Sequence, residues 1–96
     1  MTYTYERYIN ELKQKFESKY PGKSDVFDEM LKDGIEYVLV FLSDDYVIKG
    51  SQIFSRKLNR YYRVIKGSGK YNLGCLGPSP WIVESDLIWK YWLRLQ

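Results

Sequence analysis

The chain contains no histidine and no alanine, a single cysteine, and not one aspartate or glutamate between Tyr46 and Val83. Each absence excludes something. Without histidine the commonest general base, the commonest metal ligand and every imidazole-dependent triad are gone. Cys75 alone forms no intramolecular disulfide and supplies no cysteine cluster for zinc. No apolar run approaches the ~20 residues of a membrane-spanning helix, the longest strongly apolar one being Tyr37 to Leu42. The chain also opens without a basic start followed by an apolar stretch, so a cytoplasmic protein with no membrane partner is expected. The missing alanine, set against abundant lysine, tyrosine and isoleucine, leads to the expectation of an AT-rich gene from a low-GC bacterium or one of its phages.

What the chain does have is segregated charge. The net +3 conceals six basic against ten acidic side chains in residues 1–45, a balanced tail from Glu84, and seven cations with no anion from Tyr46 to Val83. Those cations are Lys49, Arg56, Lys57, Arg60, Arg63, Lys66 and Lys70, and they alternate with Tyr46, Phe54, Tyr61, Tyr62 and Tyr71. The aromatic share of 18% is high enough to argue against disorder. Ninety-six residues form one domain, near the size at which roughly 60–65% of the unfolded surface is buried. The expected division is helical over residues 1–34 and β over residues 35–96.

Tyr5, Tyr8, Ile9, Leu12, Phe16 and Tyr20 recur at helical spacing. Thr2 or Thr4 is placed to cap this first helix, and Pro21-Gly22 ends it. A second helix is expected after Ser24 as N-cap, with Asp25, Asp28 and Glu29 near its positive end and Val26, Phe27, Met30 and Leu31 inward. Gly34 closes it, with Ile35 over Met30 if the ending is a Schellman motif. Tyr37 to Leu42 carries nothing polar on either side, which predicts a buried strand. Ser43-Asp44-Asp45 then turns the chain into Tyr46 to Lys49.

Gly50 to Asn59 fits either a helical turn or a bent strand. Arg60 to Lys66 and Lys70 to Leu76 form a hairpin across Gly67-Ser68-Gly69. In the second arm Tyr71, Leu73 and Cys75 share an apolar face opposite Asn72 and Gly74, so Cys75 is expected as a small core residue. Gly77-Pro78-Ser79-Pro80 breaks the sheet and Trp81-Ile82-Val83 resumes it. Ile88 to Leu95 fits a closing strand, with Trp89, Tyr91, Leu93 and Leu95 on one face, or a helix capped by Ser85 with Ile88, Tyr91, Trp92 and Leu95 in one stripe. The strand is the preferred reading.

This order of hairpin, short strand, Glu84-Ser85-Asp86-Leu87 turn and final apolar segment resembles the small SH3-like barrels over Tyr46 to Leu95. Its most specific piece is Trp81-Ile82-Val83-Glu84-Ser85-Asp86-Leu87. The resemblance implies a single 3₁₀ turn before a barrel-closing strand. The expected fold is therefore α+β, two N-terminal helices packed on an antiparallel SH3-like barrel or twisted sheet.

Two chemical motifs dissolve on inspection. Gly67-Ser68-Gly69-Lys70 lacks the phosphate-loop glycine where Val64 stands and the following Ser or Thr where Tyr71 stands. Asp44-Asp45 has no convergent partners, so a turn explains it better than a metal or an acid–base pair. No enzymatic constellation and no cofactor is expected.

Binding is the remaining reading. Cations hold a phosphate backbone and flat rings accept bases, and Lys49, Arg56, Lys57, Arg60, Tyr61, Tyr62, Arg63, Lys66 and Lys70 supply both. Taken singly, each is more simply a solvent-side residue protecting a sheet edge. Taken together, an acid-free run favours a ligand, because a merely solvated surface mixes signs. DNA or RNA is the first expected partner. The rival is a protein of nucleic-acid metabolism, bound by a small inhibitor or adaptor whose candidate interface anchors are Trp81, Trp89 and Trp92, a residue type favoured at interfaces.

Overall fold

A computed structural model of the chain describes residues 4–62, 64–75 and 80–96, with the side chains of all these except Val64, Cys75 and Pro80. Arg63, Leu76 and the break at 77–79 lie outside the described residues, as do Thr2 as an alternative cap and the expected core packing of the Cys75 side chain. The architecture is α+β. The described residues form four helices and two small antiparallel sheets.

Helix α1 (Tyr5–Lys19) begins where Thr4 takes an extended backbone and its hydroxyl accepts the Arg7 N–H at 3.1 Å. Leu12 and Phe16 are its buried stripe, while Tyr5 faces water. The helix stops at Tyr20, and Gly22 takes a positive φ of 77° and donates its N–H to the Glu17 carboxylate. Helix α2 (Ser24–Asp33) buries Val26, Phe27 and Met30; its cap falls on Lys23, one residue before the expected Ser24.

The expected Schellman ending is not formed. Gly34 sits at φ 145°, ψ 144°, outside the left-handed helical region, and Ile35 starts a new helix at once. That helix, α3 (Ile35–Leu42), replaces the strand expected at Tyr37 to Leu42. A run with no polar residue on any side has no periodicity to tell helix from strand; a helix apolar all round is one surrounded by protein. Tyr37, Val38, Val40 and Phe41 are buried, with α1, α2, β1 and β6 packed around them. At its C-terminal end the Phe41 carbonyl receives the Lys19 ammonium at 2.8 Å and the Tyr20 hydroxyl at 3.3 Å. The end of α1 thereby satisfies a carbonyl that α3 leaves free.

The first sheet orders β1 (Tyr46–Lys49), β2 (Gln52–Ser55) and β3 (Arg60–Tyr61), with Tyr46 opposite Ser55 and Phe54 opposite Tyr61. The second orders β4 (Val64–Ile65), β5 (Lys70–Cys75) and β6 (Pro80–Glu84). Gly50 to Asn59, open in the sequence, thus holds a strand between two turns. The hairpin across Gly67-Ser68-Gly69 forms with Ile65 opposite Lys70, but its first arm is divided. Arg60 and Tyr61 pair with β2, Tyr62 donates its N–H to Ile53 at 2.8 Å, and Val64 and Ile65 pair with β5. One stretch of chain therefore passes from one sheet to the other. In β5 the register shifts between Asn72 and Cys75. There Gly74, at φ 84°, donates its N–H to Asn72 Oδ1 at 3.0 Å, the local signature of a bulge.

The final segment is helix α4 (Ser85–Arg94), not the preferred strand, and Glu84-Ser85-Asp86-Leu87 runs into it instead of forming an isolated 3₁₀ turn. Both periodicities coexist in this segment, and the helical stripe wins. Ile88, Tyr91 and Leu95 are buried, whereas Trp89 and Leu93 of the strand-like face are exposed. Asp86 in the first turn and Arg94 in the last suit the helix dipole. Without a closing strand, the pairings among the described residues join neither sheet to the other, and no closed barrel is found. Helices α3 and α4 cover the sheets instead, and the buried side chains of all four helices and both sheets form one contiguous core.

Candidate nucleic-acid interface

The turn between β2 and β3 is built from below by Asp45. Its carboxylate accepts the Lys57 N–H at 2.8 Å and the Ser55 hydroxyl at 3.1 Å, and its backbone carbonyl accepts the Arg56 N–H at 2.8 Å. Ser55 is fully buried and its oxygen in turn accepts the Leu58 N–H at 3.1 Å. Asn59 completes the turn at φ 51°, a left-handed position that asparagine tolerates better than most residues. The outcome is a rigid backbone from which Arg56, Lys57 and Arg60 project into water.

Alternation along the strands puts Val47, Phe54 and Tyr61 on the outer face of the first sheet, in register across all three strands. The Phe54 and Tyr61 rings meet edge to face, centroids 5.1 Å apart at 61°, and Tyr61 remains 50% exposed. Tyr62 points the other way. It is half-buried, and its ring contacts Tyr46 at 5.6 Å and 74°. Burial pushes the Tyr46 phenol far above its ordinary value, helped by the hydrogen bond and charge of Tyr62 and by the charge of Asp45.

Between the sheets lies an open cleft of about 740 Å³, lined by Leu58, Arg60, Tyr61, Tyr62, Asn72, Leu73 and Gly74. A neighbouring depression of about 400 Å³ shares Leu58, Tyr62 and Leu73 with it and reaches Lys57. Of the residues expected to bind, Arg60, Tyr61 and Tyr62 line the cleft, and Arg56 and Lys57 stand on the adjoining turn.

The other cations are elsewhere. Strand direction carries Lys49 to the opposite end of the first sheet, facing Gln52, and puts Lys66 and Lys70 at the far tip of the second hairpin. The Tyr71 hydroxyl donates to the Ser51 carbonyl, tying those two tips together. The cations thus divide into two groups instead of forming one continuous face. Lys70 contacts Glu84 at 4.0 Å. Lys49, Arg56, Lys57, Arg60 and Lys66 form no ion pair among the described residues, although the Asp45 carboxylate accepts the Lys57 backbone N–H beside the first group.

Sequence reasoning left out Leu58, Asn72, Leu73 and Gly74 of the cleft lining, and Phe54 beside Tyr61. Phe54 was visible as one of the interleaved rings, and Asn72 as a polar residue on the outer side of its strand. Leu58 sat in the segment that no periodicity resolved.

Of the tryptophans, Trp81 and Trp92 are half-buried against the core, and Trp89 is 45% exposed. Trp89 stacks on Trp92, centroids 5.7 Å apart at 18°, and lies over Gly50; Leu93, one turn further on α4, is also exposed.

Among the described residues no helix is long and apolar enough to cross a membrane, and no group of three or more His, Cys, Asp or Glu is placed to hold a metal ion. No protein-family model, curated protein or solved structure matches the chain.

Proposed function

We propose that this is a non-enzymatic nucleic-acid-binding protein that works from the cytoplasm. Its binding surface is the end of the first sheet where Arg56, Lys57 and Arg60 adjoin Phe54, Tyr61 and Tyr62. The observation that carries the reading is the juxtaposition of cations without ionic partners among the described residues and a half-exposed aromatic pair. Phosphates pair with the cations while the rings accept bases. The two sheets, linked through Arg60 to Ile65, support the likeness to an SH3-like barrel only in an opened form, with α4 where the closing strand would run.

Binding of a fluorescent oligonucleotide, followed by anisotropy across a salt series, tests the proposal. Three phosphate contacts give a log–log slope of about −2 on a single strand. The double variant Arg56→Glu/Arg60→Glu abolishes binding while keeping the wild-type circular dichroism spectrum. Lack of binding by the wild-type protein at about 50 mM salt refutes the proposal.

A second reading has its own observation. Trp89, stacked on Trp92 and followed by Leu93, leaves an aromatic patch on α4, suited to docking on a nucleic-acid-processing protein as a small phage- or mobile-element-type inhibitor or adaptor would. Trp89→Ala and Leu93→Ala then remove partner binding and leave oligonucleotide binding intact.

A further inference from the structure

The cleft between the sheets has features that a charged rim alone does not need. Its volume of about 740 Å³ falls within the roughly 300–1,000 Å³ of small-molecule sites. Its lining combines the buried Leu73 with Leu58, Tyr61 and Tyr62. At its mouth stands Arg60, exposed and without an ion pair among the described residues.

The side-chain amide in its lining is that of Asn72. The Asn72 amide is oriented by the bulge, since only its oxygen can accept the Gly74 N–H at 3.0 Å. Its NH₂ group makes no hydrogen bond within the described residues, leaving two donors for a ligand. An amide presented donor-side outward recognises a carbonyl oxygen. An aromatic lining, a guanidinium at the mouth and a lone amide donor together match one unstacked base, its exocyclic carbonyl and its flanking phosphate.

We infer that the cleft takes a single unstacked, carbonyl-bearing base of a single-stranded nucleic acid, with Arg60 on the adjacent phosphate and the Asn72 amide on the base carbonyl. This rests on the nucleic-acid reading above and adds strandedness and base class to it. In a duplex the bases are stacked and their Watson–Crick edges are occupied, so none is free to enter.

The test compares anisotropy titrations of oligothymidylate, an abasic deoxyribose-phosphate strand of equal length, and a duplex. Oligouridylate is run beside them, and tight binding of either pyrimidine strand counts in favour. The abasic strand keeps the phosphates and lacks the rings, so its affinity reports charge alone. Oligothymidylate is expected to bind about tenfold more tightly than the abasic strand, the size of one stacked base.

Asn72→Ser keeps a short oxygen for the turn N–H, as serine does in turns, and removes the amide donors. Asn72→Asp keeps the acceptor and changes the charge. Both are expected to lower the thymidylate-to-abasic ratio, leaving the share that stacking on the tyrosines supplies, while binding the abasic strand measurably. Equal binding of the two strands by the wild-type protein would overturn the inference and leave the nucleic-acid reading standing. A ratio unchanged in both Asn72 variants would overturn it too, and failure of every strand to bind would overturn both.

Discussion

At the residue scale, neighbouring positions of like chemistry carry unlike weight. Asp44 is exposed, whereas Asp45 holds the Lys57 amide and the buried Ser55 hydroxyl. Replacing Asp45 by Ala strips the acceptor from a buried donor and is expected to cost about 1–3 kcal/mol; Asp44→Ala is expected to stay within about 0.5 kcal/mol of wild type. Urea denaturation of the two variants measures the contrast. The two acids looked alike in the sequence, because a turn prediction says where the chain reverses and not which carboxylate its amides find.

Glycines make a similar contrast. Gly50 and Gly67 both have positive φ, at 60° and 81°, but a Cβ on Gly50 would run into the Trp89 ring while one on Gly67 meets nothing within 4 Å. Gly67→Ala carries only the backbone strain, and Gly50→Ala adds displacement of Trp89. The latter is expected to lose about 1–3 kcal/mol, more than Gly67→Ala, and to shift tryptophan emission to the red. Equal losses and unchanged emission would mean that Trp89 is not seated on the turn.

At the scale of elements, α1 and α2 were legible because breakers bound them and polar faces gave their stripes a period. Helix α3 was not: an uninterrupted apolar run announces burial and is silent about conformation. In α4 the residues Trp89, Tyr91, Leu93 and Leu95 alternate while Ile88, Tyr91, Trp92 and Leu95 form a helical stripe, so sequence alone offered both. What anchors α4 follows from burial. Ile88 is fully enclosed, whereas Arg94, paired with Asp25 at 3.2 Å and with Glu29, is about one-third exposed. Ile88→Ala is expected to cost about 2–5 kcal/mol and Arg94→Ala less than about 1 kcal/mol. Thermal unfolding that ranked the two in the opposite order would show that α4 is held by charge instead of packing.

At the scale of the whole molecule, the tyrosines set the alkaline limit. Burial raises the phenol pKa of Tyr20, Tyr37, Tyr46, Tyr71 and Tyr91; for Tyr91 the hydrogen bond to Asp33 adds to it. The folded chain therefore binds more protons than the unfolded chain once pH passes the ordinary phenol value near 10. This contribution is complete below about pH 10 and is lost as pH rises towards the folded values. Urea midpoints are expected to fall above that point, with a shallower fall in Tyr46→Phe. The segregation of charge along the chain was legible from composition. Its division between two ends of the sheets was not, because strand pairing and the transfer of Arg60 to Ile65 between sheets decide which cations become neighbours.

The most direct measurement is a titration of isotope-labelled protein with oligothymidylate, following every backbone amide by nuclear magnetic resonance. The account predicts shifts in residues 54–62 and 72–74, with residues 49–51, 66–70 and α4 left in place. Shifts concentrated at the hairpin tips or on α4, or no shifts at all, would contradict it.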